Sequence, residues 1–170
     1  MGFELLDVPT RRYTEETVER MHGLVKKAKT DPQWRELALW LSRDGDRSRD
    51  WKNYEAELEN VFQKLRRIVT YRRDPHQVEF IQSPWHTLRL GAGDCDDFSI
   101  LIASAMGVIG ARYRFVTLKA DGSRPDEWSH IFPEVFVPSR GWVAADLTVS
   151  EPLGYRPRGY TEKFWVEPSY

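Results

Sequence analysis

Apolar residues at Val18, Met21, Val25 and Ala28 recur in steps of three and four, which predicts a helix over residues 14–29. Glu15 and Glu16 open it, and Lys26, Lys27 and Lys29 close it, the charge order that a helix dipole favours. Asp31-Pro32 then reads as an N-cap followed by proline in the first turn. It starts a second helix marked by Trp34, Leu37, Ala38 and Leu41, expected to stop near Asp44-Gly45. The polar run SRDGDRSRD reads as an exposed loop. After Asp50 a third stripe, Trp51, Tyr54, Leu58, Val61, Leu65 and Ile68, predicts a helix ending near Tyr71. The first 70 residues thus read as helical, with Trp34, Trp40 and Trp51 as core anchors.

Over residues 72–93 the periodicity is lost. RRDPHQVEFIQSPWHTLRLGAG mixes two prolines and two histidines with no clean repeat and reads as an irregular connection. The apolar run SILIASAM that follows fits a strand or a buried helix. Asp96 and Asp97 before it, its small residues, and Gly107 and Gly110 after it favour a helix. Beyond Gly110 the texture turns to β. ARYRFVTLKA alternates, DGSRPDEWS is a turn-rich connector, and HIFPEVFVP and GWVAADLTV read as a hairpin turning at Pro138–Gly141. The tail YTEKFWVEP reads as a further strand. Helices gathered ahead of antiparallel strands point to an α+β fold.

The chain has 170 residues, 41% of them hydrophobic and 30% charged, which suits one compact domain. Seven Trp, seven Tyr and eight Phe supply a well-filled core. A formal net charge of -1 argues against a protein that coats nucleic acid. The basic residues Lys64, Arg66, Arg67, Arg72 and Arg73 are interleaved with acids and read as a solvated face. No stretch approaches the roughly 18 apolar residues of a membrane span, and no secretory signal is visible. The expectation is a soluble protein, cytoplasmic at synthesis, with no membrane partner; incorporation into a larger particle would leave no mark in the sequence. Oligomeric state is not readable.

The one cysteine, Cys95, stands at the start of the predicted buried helix, behind Gly91 and Gly93 and among Asp94, Asp96 and Asp97. Unpaired N–H groups and the positive end of a helix dipole stabilise a thiolate there. The acids suit a first helical turn but oppose a thiolate through like charge, so one of them should bond to backbone or to an arginine. A nucleophilic thiolate needs a histidine, and the histidine a third group to orient it. A hairpin turning at 138–141 pairs residues whose numbers sum to about 279. That sets Asp146 opposite Pro133, within reach of His130. A Cys–His–His metal site using His76 and His86 lacks zinc spacing, and no metal or cofactor is expected. His22 reads as surface or core filler.

Gly93-Asp94-Cys95-Asp96-Asp97, His130 with Glu134-Val135 behind it, and Gly141-Trp142 leading to Asp146 and Thr148 occur in that order. On these residues the sequence resembles the transglutaminase-like family of thiol enzymes, over roughly residues 71 to 150. Phe132 and Leu147 depart from the family's usual Trp and Pro. The resemblance implies a papain-like α+β core, its cysteine on a central helix packed on an antiparallel sheet. With the chain length and the helical stripes, the expectation is a single domain over 1–170, in which a helical N-terminal part (1–70) that carries no such resemblance precedes a transglutaminase-like catalytic core (71–170). Cys95 is then the nucleophile, His130 the general base and acid, and Asp146 the orienter. Acyl transfer at an amide bond, through a thioester, is the implied chemistry, with a protein or peptide as substrate. The oxyanion would be met by the Cys95 N–H and by a second donor, for which Gln82 and Trp85 are candidates. Hydrolysis by a peptidase or amidase is expected, since water is always at hand and no second domain is evident to shield a thioester. A cross-linking transglutaminase and a catalytically silent module of a phage or bacterial assembly are the alternatives.

Overall fold

A computed structural model describes residues 3–6, 15–43, 53–73 and 79–167. Helix α1 (Glu15–Thr30) buries Val18, Met21, Val25 and Ala28, the stripe the spacing predicts, together with Thr17 and His22. Helix α2 (Pro32–Ser42) opens on Asp31, whose Oδ1 accepts from the N–H groups of Gln33 (2.9 Å) and Trp34 (3.3 Å). It buries Trp34, Ala38 and Leu41. Trp40 is no core anchor: it falls on the opposite face of the helix, 60% exposed, with the Lys64 ammonium 4.8 Å from its ring centroid. Trp51 and the polar loop beyond Arg43 lie outside the described residues.

Helix α3 (Tyr54–Ile68), capped by Asn53, buries Leu58, Val61, Phe62 and Leu65. It ends earlier than predicted, at Ile68. Thr70 and Tyr71 instead form strand β2 (Thr70–Tyr71), parallel to β4 (Ala92–Gly93). A β-branched residue and an aromatic suit an extended backbone, and Thr70 N–H donates to Gly91 O and Arg72 N–H to Gly93 O, both at 2.8 Å. The basic residues of α3 are not merely solvated. Arg66 lies over the Phe62 ring and donates to the carbonyls of Val149 (2.9 Å) and Glu151 (2.6 Å), and Lys64 donates to the Trp40 carbonyl.

The run after Cys95 is helix α5 (Cys95–Val108), and every residue from Cys95 to Gly107 is buried. Helices α1, α2 and α3 pack against it, as does the sheet through β6 (His130–Val137). Gly110 ends it with φ 87°; Gly110 N–H returns to Gly107 O and Ala111 N–H to Met106 O, the paired bonds of a left-handed C-terminal cap that glycine accommodates without strain.

The main sheet is antiparallel, in the order β7 (Gly141–Ala144), β6, β5 (Tyr113–Leu118), β8 (Glu162–Val166). Tyr113 and Phe115 join the helical core, whereas Val116 and Leu118 form a second buried cluster with Phe132 and Ala144. Both faces of β5 are therefore covered. The hairpin register differs by one from the predicted sum: Glu134 pairs with Ala144 and Val137 with Gly141.

Two further expectations are overturned. Residues 3–6 are a strand, β1 (Phe3–Leu6), not part of a helical segment; it pairs antiparallel with β3 (Glu79–Gln82). The stretch read as irregular holds β3 and helix α4 (Pro84–Leu90), started by Ser83 and Pro84 and ended by Gly91 at φ 63°. Four residues of strand and seven of helix are too short to establish a period.

His22 is buried between α1 and β5, with Nδ1 2.9 Å from the Tyr113 hydroxyl and the ring 4.9 Å from that of Phe115. Burial pushes its pKa down from 6.5 to about 4, against a smaller upward pull from Glu167. The unfolded chain therefore binds a proton that the fold refuses between those values. Stability should be full above pH 6.5 and decline as pH falls to about 4, by up to about 3 kcal/mol. Urea denaturation at pH 7, 5.5 and 4 checks this: the wild type should lose more stability across the range than His22→Gln.

Candidate active site

The turn into α5 is built around one carboxylate. Asp97 is fully buried; its Oδ1 accepts from Gln82 N–H (2.8 Å) and its Oδ2 from Asp94 N–H (3.3 Å). It thus ties β3 to the start of α5, and with Asp94, whose side chain accepts from the Asp97 N–H, it forms a capping box. A glycine is needed beside it, since a Cβ on Gly93 would lie 2.7 Å from the Asp97 Cβ and 2.8 Å from its Oδ2. The D-x-x-D spacing at the helix start is a capping pattern that carried this signal in the sequence.

Cys95 occupies the first turn of α5 and is 7% exposed. Its sulfur lies 3.6 Å from Asp96 Oδ1, to which a thiol proton can be donated. That carboxylate opposes a thiolate, while the N–H groups of the helix start favour one. Ser99, one turn on, donates to Cys95 O (2.6 Å) and lies 3.4 Å from Ile131 O. The Cys95 turn is therefore fastened beside the residue that follows His130. Nothing in the sequence had singled out Ser99.

His130 is the first residue of β6, paired across the sheet with Leu118. Its Nε2 lies 2.7 Å from Asp146 Oδ2. Asp146 stands two residues beyond the end of β7, where Ala145 N–H still reaches Pro133 O (2.9 Å). The other oxygen, Oδ1, accepts from Thr148 N–H (2.9 Å) and Thr148 Oγ1 (2.6 Å). Burial pushes the Asp146 carboxyl up, but the hydrogen bond and charge of His130 and the two Thr148 donors outweigh it and hold the group below its usual range. An ionised carboxylate only accepts, so Nε2 carries the proton and Nδ1 is the nitrogen left to act as a base. Phe132 stacks obliquely near the imidazole, with centroids 6.0 Å apart.

Each of the two oxyanion candidates has one of its N–H groups engaged. Gln82 spends its N–H on Asp97, while Trp85 turns its indole N–H to Asp31 Oδ2 (2.8 Å) and its ring edge-on to Trp34. Among the described residues, the group of potential metal ligands that converges is Asp94, Cys95 and Asp96, with ligand atoms within 4.8 Å of one another. It is an acidic cluster in a first helical turn. His86 is not part of it, and His76 lies outside the described residues.

The profile of the transglutaminase-like superfamily matches residues 34–147, well over half of the chain and starting inside α2, earlier than the sequence blocks suggested. None of the curated proteins matches. Among solved structures, a candidate cysteine protease from Cytophaga hutchinsonii is 17% identical with a TM-score of 0.52, over 86% of this chain and 49% of that one. A candidate protease from Parabacteroides distasonis is 10% identical with a TM-score of 0.49, over 81% of this chain and 31% of that one. LapG of Legionella pneumophila, EGTA-treated, is 18% identical with a TM-score of 0.47, over 89% and 86%. The first likeness is one of fold, and this chain spans about half the length of that protein.

Asp97→Ala would leave the Gln82 and Asp94 N–H groups buried without their acceptor. It should cost about 3 kcal/mol of stability, since hydrogen bonds to a charged group contribute roughly 1.5–3 kcal/mol each. Chemical denaturation with matched m-values measures this, and a loss below about 0.5 kcal/mol would remove Asp97 from its clamping role.

Proposed function

The chain belongs to the transglutaminase-like superfamily, and on that premise we propose that it is a cysteine hydrolase acting on amide bonds, a peptidase or amidase. The observation that carries this is the 2.7 Å bond between His130 Nε2 and Asp146 Oδ2, made beside the helix turn that holds Cys95. A surface histidine needs no buried carboxylate with both oxygens occupied. A base that must present one nitrogen in a fixed orientation does.

In this reading His130 Nδ1 takes the Cys95 thiol proton. The thiolate adds to the amide carbonyl, forming a C–S bond as the π pair moves to oxygen. When the tetrahedral adduct collapses, the C–N bond breaks and the departing nitrogen takes the proton from His130. Water then adds to the thioester, giving a proton to His130; the C–S bond breaks and the sulfur is restored. Asp146 stabilises the imidazolium at both stages without itself being protonated. The N–H of Cys95, in the first turn of α5, is one donor to the oxyanion. The fold likeness to the Cytophaga candidate cysteine protease supports a peptide as the substrate.

Cys95→Ala should abolish turnover of a pool of fluorogenic peptidyl-coumarin amides while leaving the circular dichroism spectrum intact. Asp146→Ala should lower kcat by roughly 100- to 10,000-fold, because the imidazole loses its fixed tautomer. Iodoacetamide should alkylate wild-type Cys95 faster at pH 7 than it alkylates free cysteine. Alkylation no faster than the free thiol, with no amide turnover, would sink the hydrolase.

A further inference from the structure

The Gln82 backbone N–H is spent on Asp97 and the Trp85 indole N–H on Asp31, and another wall of the site offers a further hydrogen-bond donor. Strand β2 supplies one. Its parallel register sets Tyr71 beside Gly93, two residues before Cys95, and the Arg72 N–H to Gly93 O bond locks that register at 2.8 Å. The Tyr71 ring lies edge-on to Phe98, with centroids 6.3 Å apart at 72°. Phe98 stands three residues after Cys95, on the same helix face. Tyr71 is thus packed on residues two before and three after Cys95, and at 43% exposure it can be reached by a substrate.

Resting on the hydrolase reading, we propose that Tyr71 is a catalytic residue, the second oxyanion donor. When the Cys95 sulfur bonds to an amide carbon, the π electrons move to the carbonyl oxygen, and the Tyr71 hydroxyl donates a hydrogen bond to that oxygen without transferring its proton. Arg73 donates to the same hydroxyl oxygen and leaves its O–H as a donor. The phenol's surroundings agree: burial, then the negative field of Cys95, raises its pKa, Asp94 adds to this, and Arg73 pulls the other way. A phenol in that field keeps its proton and remains a donor.

The test separates oxyanion stabilisation from thiolate reactivity. Iodoacetamide alkylation displaces iodide at a saturated carbon and forms no oxyanion, whereas a tripeptide aldehyde adds Cys95 to give a tetrahedral hemithioacetal. Tyr71→Phe should weaken aldehyde inhibition and lower kcat on the peptidyl-coumarin pool by about 100-fold or more, as loss of one oxyanion donor does. It should leave KM and the iodoacetamide rate within about two-fold. Three results overturn the assignment. If Tyr71→Phe leaves aldehyde binding and kcat unchanged in a protein whose wild type does both, Tyr71 alone is wrong. If alkylation falls as far as turnover, the residue acts through the sulfur and not the oxyanion. If the wild type neither binds the aldehyde nor is alkylated faster than free cysteine, the hydrolase reading fails and takes Tyr71 with it. A spectrophotometric titration supplies a readout free of turnover: the Tyr71 phenol, identified by its absence from Tyr71→Phe, should titrate lower in Cys95→Ala than in wild type, and an unmoved phenol also overturns the proposal.

Discussion

Helix α5 has no solvent face, and a helix apolar all round must be enclosed all round. From Cys95 to Gly107 it is surrounded by α1, α2 and α3 on one side and by the sheet on the other. The enclosure creates a difficulty at the helix start, where backbone N–H groups have no intrahelical acceptor. Deep in an apolar core each orphan would cost roughly 1–3 kcal/mol. The chain meets this with polar groups concentrated in one turn: Asp94, Asp96 and Asp97 are all buried, and Asp97 reaches back to Asp94 N–H and across to Gln82 N–H. The place where the core must tolerate polarity is the place where the cysteine sits. The site follows from the enclosure of the helix and was not added to a finished fold.

The buried carboxylates differ in what they face, and that difference sorts their roles. Asp97 accepts from backbone on both oxygens and is structural. Asp146 divides its oxygens between an imidazole and Thr148, so its charge fixes a tautomer. Asp96 lies against the sulfur itself at 3.6 Å. A thiol proton can rest on that contact, opposite in effect to the N–H groups of the helix start. On the hydrolase reading the sulfur ionises when His130 takes this proton, so the acid beside the thiol sets how much of that work falls to the imidazole.

The long elements were legible because a core-facing stripe repeats often enough to be counted. Val18 to Ala28, Trp34 to Leu41 and Leu58 to Leu65 are buried as spaced, and the glycines after Met106 marked a helix end that Gly110 provides. The segment before Cys95 was not legible. Strand β3 and helix α4 are short and owe their form to partners distant in sequence: β1 for the one, the Ser83-Pro84 start and the Asp31–Trp85 contact for the other. The pairing of His130 with Asp146 survived a register error of one residue because Asp146 leaves the strand and a loop residue can swing to meet the ring. The choice between the oxyanion candidates was closed to sequence reading for a different reason. Sequence shows which residues own an N–H, whereas the partner that consumes it is a tertiary fact.

The family match beginning at Trp34 gives the helical N-terminal part a mechanical sense. Asp31 uses one oxygen to start α2 and the other to hold the Trp85 indole, so the α1–α2 corner grips the helix that leads into Cys95. Arg66 on α3 grips the carbonyls of Val149 and Glu151, just past Asp146 and Thr148. One contact steadies the approach to Cys95, the other the exit from Asp146. Both segments are short and non-repetitive, and on the hydrolase reading Cys95, His130 and Asp146 need to be held within about half an ångström. The helices that share no motif with the site chemistry are therefore coupled to it through side chains that grip backbone or indole groups at its two ends. A change at Asp31 or Arg66 would be felt as loosened geometry before it was felt as lost fold.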